Sequence, residues 1–436
     1  KVRRKKEHGK VINKTKKRLI LTLKKSGVSA AAVKGEKPEL PRVLDLIFAN
    51  LELLRRPRRR LGKGLRHIIL DFANAFFQFP GRRDERRFFT TRLGHAVLVW
   101  LRTAQGSRGA PLICGRALAL VMRLAAGTVQ PDAMGAATYV DDPILTFVGS
   151  QTEQDTNLAK FLGGVIAMGF DLAFSKAQDS DIDNELTWTS ARVQLIGGDD
   201  PGIKVSIKED ILVEVAEDIE EMKKLQAVKV DKLRTLAGRA TCISSLLHVW
   251  RPFVSMLWGP IYNTRSRCPF DPTRVWRTAI DVPLRWMAAF LAGSAGTLCR
   301  TYLLSAYLHE GDRVTVVTDA SPAGIGAFLI INDVIVEFAF GPLTRRDEAV
   351  LRVNRGGSEG QQAWEGLAVL AALRLWAPMW RDRRITLAVR SDSVSALIML
   401  VKMKASGFGV GIISRELALD IGEALYEPNV CSHIPG

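Results

Sequence analysis

The chain has 436 residues, 47% of them hydrophobic, and carries 62 Lys and Arg against 45 Asp and Glu, a formal charge of +17. That size and apolar content describe about two to four folded domains, excluding a disordered chain, and the charge calls for a polyanionic partner, nucleic acid first among them. The five cysteines form no CxxC pair, which argues against a zinc module or a disulfide framework and suits a reducing compartment, cytoplasmic or nuclear, while no apolar run is long enough to span a bilayer.

The chain opens on Lys1 rather than Met and reads as a piece of a longer product. Residues 1–40 are intensely basic. Two cationic runs, Lys1 to Lys6 and Lys14 to Arg18, flank a turn at His8-Gly9, and the apolar stretch Leu19-Ile20-Leu21-Thr22-Leu23 follows. This predicts an ordered β-hairpin that grips phosphates, with a disordered basic arm as the other reading. Over 41–56, Val43, Leu44, Ile47, Phe48, Leu51 and Leu54 recur at helical spacing behind Pro41. The basic loop Arg55-Arg56-Pro57-Arg58-Arg59-Arg60 either touches phosphates or is simply solvated. Ile68-Ile69-Leu70-Asp71-Phe72 then reads as a buried strand ending in an acid, turning at 71–77 into a short helical segment. Two strands are expected in 88–100 around Gly94-His95. Gln105-Gly106-Ser107-Arg108-Gly109-Ala110-Pro111 is a glycine-rich loop opening a helix over 112–124, where a backbone without Cβ atoms lets a base pair approach.

Ala137-Thr138-Tyr139-Val140-Asp141-Asp142-Pro143-Ile144-Leu145 is a strand, a tight turn carrying two acids, and a second strand. Asp is ordinary in turns. Joined to Asp71 at the end of another strand, however, the pair makes three carboxylates able to hold two divalent metals, as phosphoryl-transfer chemistry requires.

An amphipathic helix over 156–169 follows, closed by Gly169 ahead of Phe170-Asp171-Leu172-Ala173-Phe174-Ser175-Lys176. Residues 193–198 and 203–207 predict a hairpin around Asp-Pro-Gly, and 208–226 and 231–250 predict two helices, the first with a solvated acidic face. The polar stretch 263–269, ending in Pro269, is the expected linker, and 275–292 an expected helix broken at Pro283. From Gly311 the character changes. A strand ends at Asp319, two more follow in a meander, a helix over 361–375 carries Glu365, and a strand over 385–390 delivers Asp392. Strands first, then alternating helix and strand, imply a second domain on a mixed sheet.

Asp71 with Phe76, the Gln105-Gly106-x-x-Gly109-x-Pro111 loop and Tyr139-Val140-Asp141-Asp142 resemble, in order and rough spacing, motifs A, B and C of reverse transcriptases. Gly169 to Lys176 resembles motif D, Leu195-Ile196-Gly197 the primer-gripping hairpin, and Arg18 the fingers arginine that meets the incoming triphosphate. Leu233-Arg234-Thr235-Leu236-Ala237-Gly238 is similar to the thumb and connection region of retrotransposon polyproteins. Asp319, Glu365 and Asp392 resemble the first three carboxylates of RNase H, and His433-Ile434-Pro435-Gly436 the stretch just before the fourth.

The resemblance implies an α+β fold: a right-hand polymerase of fingers, palm and thumb, then a connection segment and an RNase H-like α/β domain. Its boundaries would be 1–207 for fingers and palm, 208–310 for thumb and connection, and 311–436 for the RNase H-like part. The implied activity is RNA-directed DNA synthesis by two-metal nucleotidyl transfer, with a fused hydrolase incomplete at its fourth carboxylate. Partners would be an RNA template, a DNA primer, an RNA–DNA hybrid and dNTPs, with no membrane; the cofactor would be Mg²⁺, with Mn²⁺ able to replace it. Asp71 and Asp141 would hold both metals, with Asp142 as the weaker ligand. Phe76 would exclude a ribose 2′-hydroxyl, a core ring being the other reading, and Gln105 would lie against the new base pair, with Gly106 and Tyr139 also binding substrate. Lys176 would either donate a proton to the leaving pyrophosphate or only neutralise its charge, and Arg18 would fork onto the triphosphate, with Lys5 or Lys6 beside it. Asn74 departs from the pattern, standing where many relatives have a second acid. Asp319, Glu365 and Asp392 would hold the hydrolase metals. The competing readings are a catalytically inactive basic scaffold derived from a retroelement, and a DNA-templated or untemplated polymerase.

Overall fold

Two compact units, divided between Thr189 and Ser190, make up the chain. The structure is a computed structural model and describes residues 2–7, 10–15, 21, 23, 26–32, 36, 39–55, 64–180 and 185–435. Helix and sheet are mixed throughout.

The first unit opens with an antiparallel hairpin of β1 (Val2–Glu7) and β2 (Lys10–Thr15), described by its backbone alone. A single turn, α1 (Val28–Ala31), precedes α2 (Val43–Arg55), whose first turn is fixed by Asp45: its carboxylate accepts from the Arg42 backbone N–H at 2.8 Å. Of the expected basic loop, Arg55 ends α2, and 56–60 lie outside the described residues. Strand β3 (Leu65–Ile69) enters the middle of a sheet, and β4 (Thr90–Leu93) and β5 (Ala96–Val99) form a separate hairpin. Helix α3 (Ala110–Ala126) has Pro111 in its first turn, where a missing N–H costs nothing. Strands β6 (Met134–Tyr139) and β7 (Asp142–Val148) follow, then α4 (Gln151–Ala167), β8 (Gln178–Ser180) and β9 (Glu185–Trp188). The sheet order is β6-β7-β3-β8, all neighbours antiparallel. Pro143 to Val148 are buried, as a central strand covered on both faces should be. Ile68, Leu70, Phe72, Leu145 and Phe147 of the sheet region pack with Leu118 and Val121 of α3 and Phe161 and Val165 of α4. Helix α4 begins five residues earlier than its apolar period suggests. Ser150 and Glu153 form a capping box there, with the Glu153 carboxylate accepting from the Ser150 N–H at 2.8 Å.

In the second unit, β10 (Ala191–Ile196) and β11 (Gly202–Ile207) form the expected hairpin, followed by α5 (Glu209–Lys223), β12 (Ala227–Lys229), α6 (Val230–Leu246) and α7 (Arg251–Tyr262). The acidic face of α5 is not wholly solvated: Arg239 of α6 pairs with Glu214 at 2.8 Å and with Asp218. Strands β13 (Arg267–Cys268) and β14 (Asp271–Trp276) join β12 in a small sheet. The stretch expected as a linker is thus a folded element: Asn263 caps the turn through Arg265 N–H at 3.0 Å, and Cys268 is buried. Nor is the following segment a helix broken at Pro283. Its first residues belong to β14, and α8 (Asp281–Leu291) starts late enough that Pro283 falls in its first turn. Strand β15 (Cys299–Leu303) pairs with β11, and α9 (Leu304–Tyr307) leads into the last sheet.

That sheet runs β18 (Val334–Pro342), β17 (Gly324–Ile331), β16 (Asp312–Ala320), β19 (Ile385–Ser391), β20 (Val430–His433). The first three are antiparallel meander strands, whereas β19 and β20 are parallel to β16. Helices α10 (Arg345–Leu351), α11 (Gln361–Trp380), α12 (Val394–Lys402) and α13 (Phe408–Gly422) complete it. Val314, Val316, Leu329, Leu387 and Val389 are buried, whereas Phe328, Phe338 and Phe340 are exposed. Arg374 of α11 forks onto Asp420 of α13 at 2.7 and 2.8 Å, tying the two helices together. Among the described residues no helix is long and apolar enough to cross a membrane.

Candidate active site

In the first unit the ladder itself brings the three acids to one end of the sheet. Ile69 sits opposite Ile144, Leu70 N–H donates to Pro143 O at 3.0 Å, and Phe72 N–H reaches Asp141 O at 3.5 Å. Asp71 therefore lies beside the tip of the β6–β7 hairpin. Tyr139 pairs with Asp142, which leaves Val140 and Asp141 as the two central turn residues. Val140 has φ 60, and Asp141 does not share a positive φ. Only the first central residue being left-handed is the pattern of a type II′ hairpin turn. A β-branched residue rarely adopts it, and such strain, worth about 1–3 kcal/mol, concentrates at working sites. The turn holds Asp141 half-buried and Asp142 exposed. Burial first, and the charge of Asp141 second, push the buried Cys114 thiol up to about 12, so Asp141 faces α3 closely enough to be felt.

Asp71 is held from its other side by the segment that follows α4. Phe72 bridges Leu172, Ala173 N–H donates to Asp71 O at 2.7 Å, and Ala73 N–H donates to Asp171 O at 2.9 Å. The 3₁₀ turn Phe174–Lys176 then delivers the Lys176 ammonium to the Asp71 carboxylate at 2.6 Å. Gln78 clasps both segments: its amide donates to Ala73 O at 2.6 Å and Asp171 O at 2.9 Å, and its oxygen accepts from Asp171 N–H at 3.0 Å. Nothing in the sequence singles out Gln78, because its partners are backbone groups far along the chain.

Phe76 lies in the 3₁₀ turn Ala75–Gln78 behind Asn74, which has φ 50, and packs against the core of the unit. Gln105 is half-buried and its carbonyl accepts from Leu21 N–H at 2.9 Å, while Gly106 at φ 104 occupies a conformation that favours glycine. Tyr139 is half-exposed at the end of β6. Arg18 lies outside the described residues, as do the side chains of Lys5 and Lys6 on β1.

The second unit contains the one group of three acids, among the described residues, whose ligand atoms all lie within 4.8 Å: Asp319, Glu365 and Asp392. Asp319 stands near the end of β16 and Asp392 just past the end of its parallel neighbour β19, which brings both to the same end of the sheet. Glu365 reaches them from the first turns of α11 and is only 4% exposed. Burial first, then the charges of Asp392 and Asp319, push its carboxyl up to about 7, against the pull of a hydrogen bond from Gln361. That amide donates to Glu365 Oε1 at 2.7 Å and also to Ala320 O. The other oxygen, Oε2, is buried without a partner. An orphaned carboxylate oxygen facing two further carboxylates is the donor set of a hard divalent cation such as Mg²⁺ or Mn²⁺. Asp71, Asp141 and Asp142 do not form such a group, and the Asp71 carboxylate is paired with the Lys176 ammonium instead. Beside the second cluster runs a groove of about 460 Å³ lined by Val317, Phe328, Phe338, Phe340 and Pro435. Phe338 and Phe340 stack in it with ring centroids 6.5 Å apart.

No protein-family model matches the sequence, and no curated protein matches it. Among solved structures the chain is similar to a foamy viral protease-reverse transcriptase, dRH, in complex with double-stranded DNA, at TM-score 0.49 and 13% identity over 99% of this chain and 64% of that one. It is similar to the foamy viral protease-reverse transcriptase in complex with double-stranded DNA at TM-score 0.44 and 13% identity, covering 99% of this chain and 76% of that one. A third, in complex with an RNA/DNA hybrid, gives TM-score 0.38 and 13% identity over 85% of this chain and 44% of that one. The chain thus spans 64% of the length of the first of these structures.

Proposed function

We propose that this chain is an RNA-directed DNA polymerase of the reverse-transcriptase kind carrying an RNase H-like domain, and that it comes from a retroelement polyprotein. Fingers and palm would span 1–207, thumb and connection 208–310, and the RNase H-like part 311–436. The observation that carries the reading is the register that gathers Asp71, Asp141 and Asp142 at one end of a sheet around a strained two-residue turn. Three like charges brought together this way repel one another, and a purely structural protein gains nothing from them. The ordered motifs support the same reading.

In it, Asp71 and Asp141 would hold Mg²⁺ or Mn²⁺, which when bound would neutralise triphosphate charge and activate the primer's 3′-oxygen. Asp142 adds its field. Phe76 packs where a ribose 2′-hydroxyl would lie and so favours dNTPs. Gln105 lies against the new base pair, with Gly106 and Tyr139 also binding substrate. Arg18 pairs with triphosphate oxygens. Asp319, Glu365 and Asp392 hold the cations of an RNase H-type hydrolysis of the hybrid. The excess of basic residues supplies the salt-dependent grip on template and primer.

Primer extension on matched RNA and DNA templates with Mg²⁺ tests this. The expected result is dNTP incorporation on RNA that Asp141→Asn abolishes, while the variant binds template with an unchanged salt slope. Incorporation on neither template would leave a basic binding scaffold, and copying of DNA alone would leave a DNA-templated polymerase. Extension by the Asn variant would refute the metal assignment.

A further inference from the structure

The Lys176 ammonium pairs with Asp71, an acid that the polymerase reading assigns to a metal. The carboxylate that should receive a divalent cation already holds a cation of the chain's own, at 2.6 Å. The backbones behind the two side chains are locked together by the Phe72–Leu172 bridge, by Ala173 N–H on Asp71 O, and by the three hydrogen bonds of Gln78. Neither backbone has to move for the pair to open. The ammonium sits on a flexible four-carbon stem and the Lys176 side chain is 49% exposed, so the stem can swing clear while its anchor stays in place. Asp71 is the more enclosed partner, at 25% exposure.

We propose that Lys176 is a displaceable counter-ion: it occupies Asp71 until a divalent cation takes its place, and only then is its ammonium free to meet the substrate's phosphates. The pair is an autoinhibitory contact built into the site. It holds the Asp71 carboxylate in the empty enzyme, and it couples arrival of the cation to availability of the lysine. This inference rests on the polymerase reading of the site, and it makes the lysine and the cation competitors for one carboxylate.

The test measures Mn²⁺ alone, by the loss of its free-ion paramagnetic resonance signal, on the full chain. Asp319→Asn and Asp392→Asn are present throughout to silence the second cluster. Removing the competitor with Lys176→Met should tighten Mn²⁺ binding about fivefold, the scale of a partly exposed ion pair. Lys176→Arg, which keeps the charge, should bind as the parent does. The difference between Met and Lys should shrink as salt rises from about 0.05 to 0.5 M, because screening weakens the pair. If Asp71→Asn lowers Mn²⁺ occupancy but Lys176→Met leaves affinity unchanged or weaker, the lysine is no competitor and the inference falls while the metal reading stands. If Asp71→Asn leaves occupancy untouched, no cation binds there and both readings fall.

Discussion

Glu365 lets the proposed second metal site be tested without an activity assay. Its carboxyl titrates at about 7 in the folded chain against an ordinary 4.5, because it is buried and faces two other acids. Below 4.5 both folded and unfolded chains carry the proton and nothing is lost. Between 4.5 and 7 the unfolded chain sheds it and the folded one keeps it, so folding stability falls as pH rises; above 7 the full cost is present. At ~1.36 kcal/mol per pH unit the gap is worth about 3 kcal/mol. Glu365→Gln copies the protonated acid in shape and keeps an oxygen for Gln361. It should therefore be about as stable as the parent at pH 5 and about 3 kcal/mol more stable at pH 8 in EDTA. The assay is amide-exchange protection of β16 and α11 across a urea series, which reads this unit locally and avoids assuming one transition for the whole chain. Adding Mg²⁺ should recover much of the deficit for the parent at pH 8 and change the Gln variant little. Equal differences at pH 5 and pH 8, or equal response of both proteins to Mg²⁺, would refute the argument.

Burial lowers His67 to about 4 from 6.5, so its contribution runs the other way: stability should fall by up to about 3 kcal/mol as pH drops from 6.5 to 4, where the unfolded chain gains the proton first. His67→Leu should flatten that acid limb in urea midpoints, at a constant cost of about 1–3 kcal/mol for leaving Asn50 unpaired. Two glycine substitutions should have opposite signs in thermal unfolding. Gly311→Ala, at φ +107 and with its new Cβ driven into the Arg384 carbonyl, should destabilise by at least about 3 kcal/mol, whereas Gly238→Ala, in open space on α6, should stabilise by about 0.5–1 kcal/mol.

What the residues disclose in advance is whatever is encoded locally. The β6–β7 hairpin is visible because apolar runs on both sides of Asp141-Asp142 have strand character and leave only two residues for the turn. Asp319 and Asp392 can be assigned to strand ends on the same grounds. Burial of Glu365 cannot be seen, because α11 is apolar on nearly every side and its sequence shows no polar face for the acid to share. The Lys176–Asp71 pair and the Gln78 clasp join residues about a hundred positions apart, and no periodicity encodes such contacts. Composition misleads at 263–269, where polar residues look like a linker but are spent on a cap and a short sheet. It misleads again at Pro283, because proline ends a helix only when it falls beyond the first turn.

The two acid clusters face one physical problem and meet it with different means. Carboxylates gathered for a cation repel one another while the cation is away, and the fold must survive that state. In the second unit the repulsion is relieved by a proton: Glu365 is buried deeply enough to keep one until near neutrality. In the first, the Asp71 carboxylate is paired with Lys176, a charge carried on the chain and partly in solvent. A cation entering the second cluster must therefore release a proton, so its affinity there rises with pH up to about 7. At the first, under the inference above, an entering cation competes with the Lys176 ammonium rather than with a proton. Acid should therefore hold back loading of the second cluster.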